Sequence, residues 1–490
     1  MKLTKYVFTL TAIFFLLGAK ISVANTQRPN IIFVLADDIS AKDLALNSTK
    51  GISVPTLNKM ASEGINFKTA WANAVCGPSR AVLQTGKYPF NQNHFANPAY
   101  SNVPMWKEHK LIGKNMQELG YTTGMYGKLH FLDSWKEQDP TMYGFDEYAI
   151  PKWWSGFDGE HQLPAGKITK GMYATSWFWH PGMMVNGKGI KTTDQDFGPE
   201  IEFDEMEGFI KRNKDKPFFA YWSTYLPHMA HSANKPMNQG WYYTDVPELD
   251  KNFNWTGNKI KGSLTSNMHY LDRKLEQLIV VLEEQKILDN TIIFVVGDNG
   301  TPVYGKSRYE SEVAIHVPFI VWSPALVKQR GNSKVLVDFT DIYPTLTELA
   351  GGKVASEIDG HSLAPYLLNQ DFTPREWIFM QYDDRRWLRT NRWLLDANGH
   401  LYDTGDERDE SAGYIGLKQR KPLSTAKKDP DIGYKNVTHL PEYKEIRIKL
   451  ERISRQFPGP NFDHPDMKEA WKRWRSGKKH NPAYVPEYLK

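Results

Sequence analysis

Residues 30–38 read Asn-Ile-Ile-Phe-Val-Leu-Ala-Asp-Asp. The unbroken apolar run after Asn30 is the composition of a strand covered on both faces, and it stops at an acidic pair. The same design returns far downstream: Thr291-Ile292-Ile293-Phe294-Val295-Val296 runs through Gly297 into Asp298-Asn299-Gly300. Thr122 to Tyr126 is a further strand, ending in Gly127-Lys128-Leu129-His130. Pro217 to Ser223 is another, followed by Leu226-Pro227-His228, and Val317 to Trp322 completes the set. Helical patterns lie between them. Pro55 to Glu63 puts Leu57, Met60 and Ala61 on one face and stops at Gly64, and roughly Asn267 to Lys286 repeats apolar residues at helical spacing. Alternating strands and helices imply an α/β fold with a large, mostly parallel sheet between helices. In such sheets ligands sit beyond the carboxyl ends of the strands, where every polar cluster just named falls.

The rest of the chain is consistent with this reading. Its 490 residues are 40% hydrophobic, 24% charged and 13% aromatic, which supports a substantial core and excludes a fibrous or disordered chain. The net charge of +5 is compatible with an anionic substrate and equally with an ordinary solvated surface. Lys2 and Lys5 precede an apolar run from Tyr6 to Gly18, and Ser22-Val23-Ala24 supplies a small-x-small cleavage pattern. Residues 1–24 are therefore read as a signal peptide and the protein as exported, periplasmic or extracellular. No later run is long enough to span a bilayer, so no stable membrane association is expected. The one cysteine, Cys76, admits no intramolecular disulfide. After about Thr373 the texture changes. Trp377 to Tyr382, Trp387 to Leu395 and His400 to Tyr402 read as short antiparallel strands, giving a catalytic domain over 25–373 and a C-terminal subdomain with an extended tail over 374–490. The tail's basic residues, such as Lys472 and Arg473, read as a solvated face, so no nucleic-acid partner is expected.

An acidic pair at one strand end is ordinarily a loop start or a cap. Two such pairs on one sheet change the reading: Asp37, Asp38, Asp298 and Asn299 converge only oxygens, which suits a hard divalent cation, calcium ahead of magnesium. Three buried carboxylates are also expected to need that cation. No His or Cys pair has zinc-ligand spacing. In Cys76-Gly77-Pro78-Ser79-Arg80, Pro78 fits the first turn of a helix that stops at Gly86, placing Cys76 just before a helix N-terminus, where negative charge is favoured.

Cys76-x-Pro78-Ser79-Arg80 followed by Thr85-Gly86 resembles the signature of the type I sulfatases, whose cysteine is converted into formylglycine. Around it stand Gly127-Lys128-x-His130, Pro227-His228, Gly297-Asp298-Asn299-Gly300, Asp341-x-x-Pro344-Thr345 and Asp359-Gly360-x-Ser362-Leu363, in the family's order, so that the likeness covers roughly Asn30 to Asp403. It implies an alkaline phosphatase-like fold with a small C-terminal antiparallel sheet, and a formylglycine-generating maturation enzyme as partner. Asp37, Asp38, Asp298 and Asn299 match the family's calcium ligands, joined by the modified Cys76. Arg80 matches the residue holding the aldehyde hydrate, and Lys128, His130, His228 and Lys306 the cationic groups around the sulfate. By that likeness the hydrate attacks sulfur and forms a covalent sulfate intermediate. Asp298 takes the first proton, His228 with Lys306 protonates the departing alcohol, and His130 drives release. Two departures stand out: Tyr309-Glu310 is followed by Ser311-Glu312 where the family has glycines, and His316 precedes Val317-Pro318.

Trp153-Trp154, Trp177-Phe178-Trp179 and Trp241-Tyr242-Tyr243 suit sugar rings or, equally, the packing of long insertions. With export, they point to a sulfated polysaccharide or its oligosaccharides, such as ulvan, carrageenan or fucan. The alternatives are a phosphate mono- or diester hydrolase of the same superfamily and a sulfated-glycan binder without turnover.

Overall fold

The computed structural model describes residues 28–48, 51–92, 94–95, 105–130, 139–151, 177–231, 240–302, 306, 312–383, 385–405 and 434–458. The leader, Trp153-Trp154, Tyr309-Glu310-Ser311 and the basic tail lie outside these residues.

Ten strands form the main sheet: β1 (Asn30–Ala36), β2 (Ile65–Trp71), β3 (Thr122–Gly127), β4 (Glu147–Pro151), β5 (Met183–Val185), β6 (Lys188–Ile190), β7 (Phe218–Ser223), β8 (Thr291–Gly297), β9 (Phe319–Trp322) and β10 (Gly331–Asp338). Their order is β10-β2-β9-β8-β1-β7-β3-β4-β5-β6. The five central strands from β8 to β4 run parallel. Val317 to Trp322 is read correctly as a strand, but β9 is shorter and lies antiparallel to both β8 and β2. A fully buried strand carries the same apolar signature in either direction, so its sequence is silent on orientation.

Period-2 alternation divides β1 between two cores. Ile31, Phe33 and Leu35 face α2 (Cys76–Thr85), packing with Ala81, Val82 and Leu83. Ile32, Val34 and Ala36 face the opposite layer, where α1 (Pro55–Glu63), α3 (Gly198–Asn213) and α4 (Leu264–Glu284) supply Leu57, Met60, Phe203, Met206, Leu271 and Leu275. Helix α1 has no capping side chain of its own. Asp272 of α4 accepts from the N–H groups of Thr56 and Leu57 at 3.0 and 2.8 Å, which fixes the two helices against each other.

A second, antiparallel sheet follows: β11 (Ile378–Tyr382), β12 (Arg385–Arg389), β13 (Trp393–Leu395), β14 (Leu401–Asp403) and β15 (Lys435–Asn436), adjacent in chain order. The stretch Trp387 to Leu395, expected as one strand, is broken: Thr390 and Asn391 turn the chain, and the Thr390 N–H bonds the Trp393 carbonyl at 2.9 Å. One face of this sheet, with Ile378, Met380 and Trp387, packs against Trp71, Ala74 and Val75, the segment leading into Cys76. The other, with Phe379, Leu388 and Leu401, packs against Leu450 of α5 (Lys444–Arg455). The small sheet thus buttresses the backbone immediately before Cys76.

Candidate active site

Register brings the strand ends together. Strands β1 and β8 pair residue for residue from Asn30↔Thr291 to Ala36↔Gly297, so Asp37 and Asp298 leave the sheet side by side. The Asp298 N–H bonds the Ala36 carbonyl, and the Asp38 N–H bonds Asp298 Oδ1, each at 2.9 Å. On the other flank the Asp37 N–H reaches the Leu226 carbonyl at 2.9 Å and the Lys128 N–H reaches the Ser223 carbonyl at 2.6 Å. Asp38 itself sits at φ 67°, a left-handed conformation that costs a non-glycine residue about 1–2 kcal/mol and turns its side chain back into the cluster.

Helix α2 enters from the face opposite the second core. Cys76 is its first residue rather than the one before it: the extended Val75 (φ −150°, ψ 159°) occupies the cap position and offers no side-chain acceptor. The helix ends at Gly86 in the left-handed conformation (φ 66°), as expected from sequence. Ser79 Oγ bonds the Asn73 and Val75 carbonyls at 3.2 and 3.0 Å, fastening the turn that presents residue 76.

The structure gathers all the residues singled out from sequence around this point. Lys306 Nζ lies 3.1 Å from Cys76 Sγ, 2.5 Å from Asp38 Oδ1 and 3.5 Å from His228 Nε2. Lys128 Nζ lies 2.5 Å from Asp37 Oδ2. Arg80, fully buried, sends Nε and Nη2 to Asp298 Oδ2 at 3.1 and 2.8 Å, and Nη1 to Ser223 Oγ and the Lys128 carbonyl. His130, at φ 34°, is close enough for Lys128, Arg80 and Asp37 to act on its charge. Ser223 had no motif to single it out, although its place as the last residue of a buried strand put it on the rim.

Three carboxylates here face three cationic side chains, Arg80, Lys128 and Lys306. These side chains meet much of the charge that the aspartates bury. What they leave unmet is coordination. Asp37 Oδ1, Asp38 Oδ2 and Asn299 Oδ1 are buried and accept no hydrogen bond. Each such orphan acceptor costs about 1–3 kcal/mol. Three oxygens with open lone pairs are the donor set a hard divalent cation takes up. Asp37, Asp38, Cys76 and His228 can each bring a donor atom within 4.8 Å of the others, so the imidazole, not counted among the ligands from sequence, borders the same position. Asp298 already accepts from the Asp38 N–H on Oδ1 and from Arg80 on Oδ2, and Oδ1 keeps a further lone pair.

Burial and these charges set the protonation states. Burial pushes the Cys76 thiol up to about 12, against the pull of Lys128 and Lys306, so the unmodified side chain is a thiol and not a thiolate nucleophile. Burial would raise Asp37, but Lys128, then His228 and Arg80, hold it well below the usual carboxylate range. Burial opposes the charge on Lys306, yet Asp38 beside it carries its pKa well above the ordinary lysine value. Desolvation takes His228 down to about 4. Its Nδ1 lies 2.6 Å from the Met229 carbonyl and must donate there, which leaves Nε2 with its lone pair toward Lys306.

Glu312, one of the sequence departures, is buried between the end of β2 and the C-terminal sheet. It accepts from Trp71 Nε1 at 2.8 Å and from the Tyr434 hydroxyl at 2.7 Å, and lies 3.6 Å from Arg389 Nη1. The unusual carboxylate thus ties the end of β2 to the C-terminal sheet.

Fold and site together define a hydrolase of tetrahedral oxyanion esters, with cations and a helix N-terminus gathered at the rim of a mostly parallel sheet. The sulfatase family model matches residues 29–352, and the chain belongs to that family of sulfuric ester hydrolases, which generally works with formylglycine and a divalent metal. The ulvan-active sulfatase of Formosa agariphila is 26% identical over 399 residues, spanning 80% of this chain and 67% of that protein. Human N-acetylgalactosamine-6-sulfatase is 26% identical over 412 residues, 75% of this chain and 73% of that one. Among solved structures, Ps i-CgsB in complex with k-i-k-neocarrahexaose superposes with a TM-score of 0.65 at 24% identity, covering 92% of this chain and 98% of that chain.

Proposed function

We propose that this sulfatase removes sulfate from a sulfated polysaccharide or its oligosaccharides, using a formylglycine made from Cys76 and a calcium ion held by Asp37, Asp38, Asp298 and Asn299. The observation that carries the reading is the set of three orphan oxygens, Asp37 Oδ1, Asp38 Oδ2 and Asn299 Oδ1, opening beside residue 76 at the uncapped start of α2. The neutral thiol supports modification, since it is a poor nucleophile as it stands. The relatives named for ulvan and for a carrageenan-type hexasaccharide support a carbohydrate substrate.

When bound, the cation draws charge from the sulfate oxygens, and the aldehyde hydrate at residue 76 supplies the attacking oxygen. The remaining work belongs to side chains already in place. Lys128 and His130 receive the outer sulfate oxygens. Arg80 fixes Asp298, whose carboxylate accepts the proton of the attacking hydroxyl. Lys306 holds the bridging oxygen and gives it a proton as the alcohol departs, while His228 Nε2, 3.5 Å away, accepts from the same ammonium and aims it, and His130 accepts the proton that accompanies sulfate release. We also assign residues 1–24 to an export leader, 25–373 to the catalytic domain and 374–490 to the C-terminal subdomain and tail, with a formylglycine-generating enzyme as maturation partner. Among the described residues no helix is long and apolar enough to cross a membrane.

The test is release of inorganic sulfate from oligosaccharides of ulvan, carrageenan, fucan and chondroitin sulfate by protein carrying the aldehyde, with 4-nitrophenyl phosphate as control. Sulfate release with negligible phosphate release is expected. Preferential phosphate release would overturn the assignment.

A further inference from the structure

The ribbon that leaves the site carries an aromatic residue that the chemistry above does not use. Pro227-His228-Met229 runs directly into Ala230–His231, which pairs antiparallel with Trp241–Tyr242. The Trp241 ring centre lies 5.9 Å from that of His228, with the planes at 68°. Trp177 lies 5.5 Å from the same imidazole at 75°, so two indoles flank His228. They are not equivalent. Trp177 is buried and stacked on Tyr225 at 4.8 Å, its face already used in packing. Trp241 is only half-buried, and Tyr242 beside it is 51% exposed. Of the two aromatic stretches within the described residues, the first therefore serves largely as core and the second stands at the edge of the site.

We infer that Trp241 is the outer wall of a leaving-group subsite, on which the pyranose ring bearing the sulfate rests its C–H face. The inference rests on the sulfatase reading and deepens it. A bridging oxygen held by the Lys306 ammonium, itself 3.5 Å from His228 Nε2, lies beside the imidazole, and the carbon skeleton attached to that oxygen begins one bond further out. That places it within van der Waals reach of a ring 5.9 Å from the imidazole. A pyranose combines an apolar C–H face with a rim of hydroxyls, which matches a single indole wall in a site otherwise lined by Lys128, Lys306 and His228. A long acyl chain would need a continuous apolar groove. Tyr242, next to Trp241 on the same strand, brings a polar tip instead.

The test compares Trp241→Ala and Trp241→Phe with the parent, all carrying the aldehyde at residue 76, on the best sulfated oligosaccharide of the panel above and on 4-nitrophenyl sulfate. For Trp241→Ala the ratio of kcat/KM on saccharide to kcat/KM on the aryl ester should fall on the order of tenfold or more, and Trp241→Phe should restore it to within about threefold. An unchanged ratio, or a phenylalanine no better than alanine, overturns the subsite. Turnover of the aryl ester by the parent with no saccharide sulfate cleaved also overturns it while leaving the sulfatase reading intact. Failure of the aldehyde-bearing parent on both kinds of ester would instead remove the sulfatase reading and the subsite with it.

Discussion

Replacing Glu312 by alanine should cost about 4 kcal/mol of folding stability, because the carboxylate is the junction of three distant elements. Trp71 Nε1 and the Tyr434 hydroxyl donate to it at 2.8 and 2.7 Å, Arg389 stands 3.6 Å away, and Glu312 itself is 3% exposed. A hydrogen bond to a charged acceptor contributes about 1.5–3 kcal/mol net, and removing one partner of a buried ion pair costs about 3–5 kcal/mol; since the two overlap, the sum stays near the upper single figure. Glutamine keeps the shape and one acceptor oxygen but loses the charge facing Arg389, so Glu312→Gln should cost about half as much. Urea unfolding of the two variants, monitored by tryptophan fluorescence, measures both values. If Glu312→Ala costs less than about 1 kcal/mol, or glutamine is no better than alanine, the carboxylate is not the clasp between β2 and the C-terminal sheet described above.

Three other outcomes are expected. Burial raises the Asp43 carboxyl to about 7, only partly opposed by the Ser40 N–H, against an unfolded value of about 4. Between those pH values the folded protein holds a proton that the unfolded chain has released, so stability falls as pH rises through the window, by at most about 4 kcal/mol. In Asp43→Asn that loss is absent, and its stability advantage should grow between pH 5 and pH 8; an equal difference at both pH values would refute the sign. Chelation should lower the thermal midpoint of the aldehyde-bearing protein, and calcium should restore it, by about 3–4 kcal/mol of linkage at 100 to 1,000 times Kd. A midpoint indifferent to chelator would mean that the three orphan oxygens hold no cation. Cys76→Ser should reduce sulfate release by on the order of a thousandfold or more while leaving the melting profile close to the parent's, because the small side chain fills the same buried position.

What the sequence disclosed was the part governed by local composition. Continuous apolar runs mark β1 and β8 as doubly covered strands and β7 as a further strand, which puts Asp37, Asp298 and His228 at one rim. Gly86 marked the end of α2 for an equally local reason, its φ of 66°. Relations between distant residues were hidden. The direction of β9 depends on its pairing with β8 and β2 rather than on its own side chains. The charge balance around the aspartates depends on Lys128, Lys306 and Arg80 pointing inward together. Glu312 was visible only as a departure from a pattern, since its partners Trp71 and Tyr434 are 241 and 122 residues away. Trp177 and Trp241 look alike as letters, and only their burial and stacking divide a core ring from one at the edge of the site.

The central claim is that the reacting group at the start of α2 is an aldehyde and not a thiol. Mass spectrometry of the tryptic peptide Thr69 to Arg80, taken from a preparation with measured sulfate-releasing activity, tests it most directly. The account predicts formylglycine at residue 76 in a fraction that rises in step with specific activity. Full activity from protein whose Cys76 is wholly the intact thiol would contradict it.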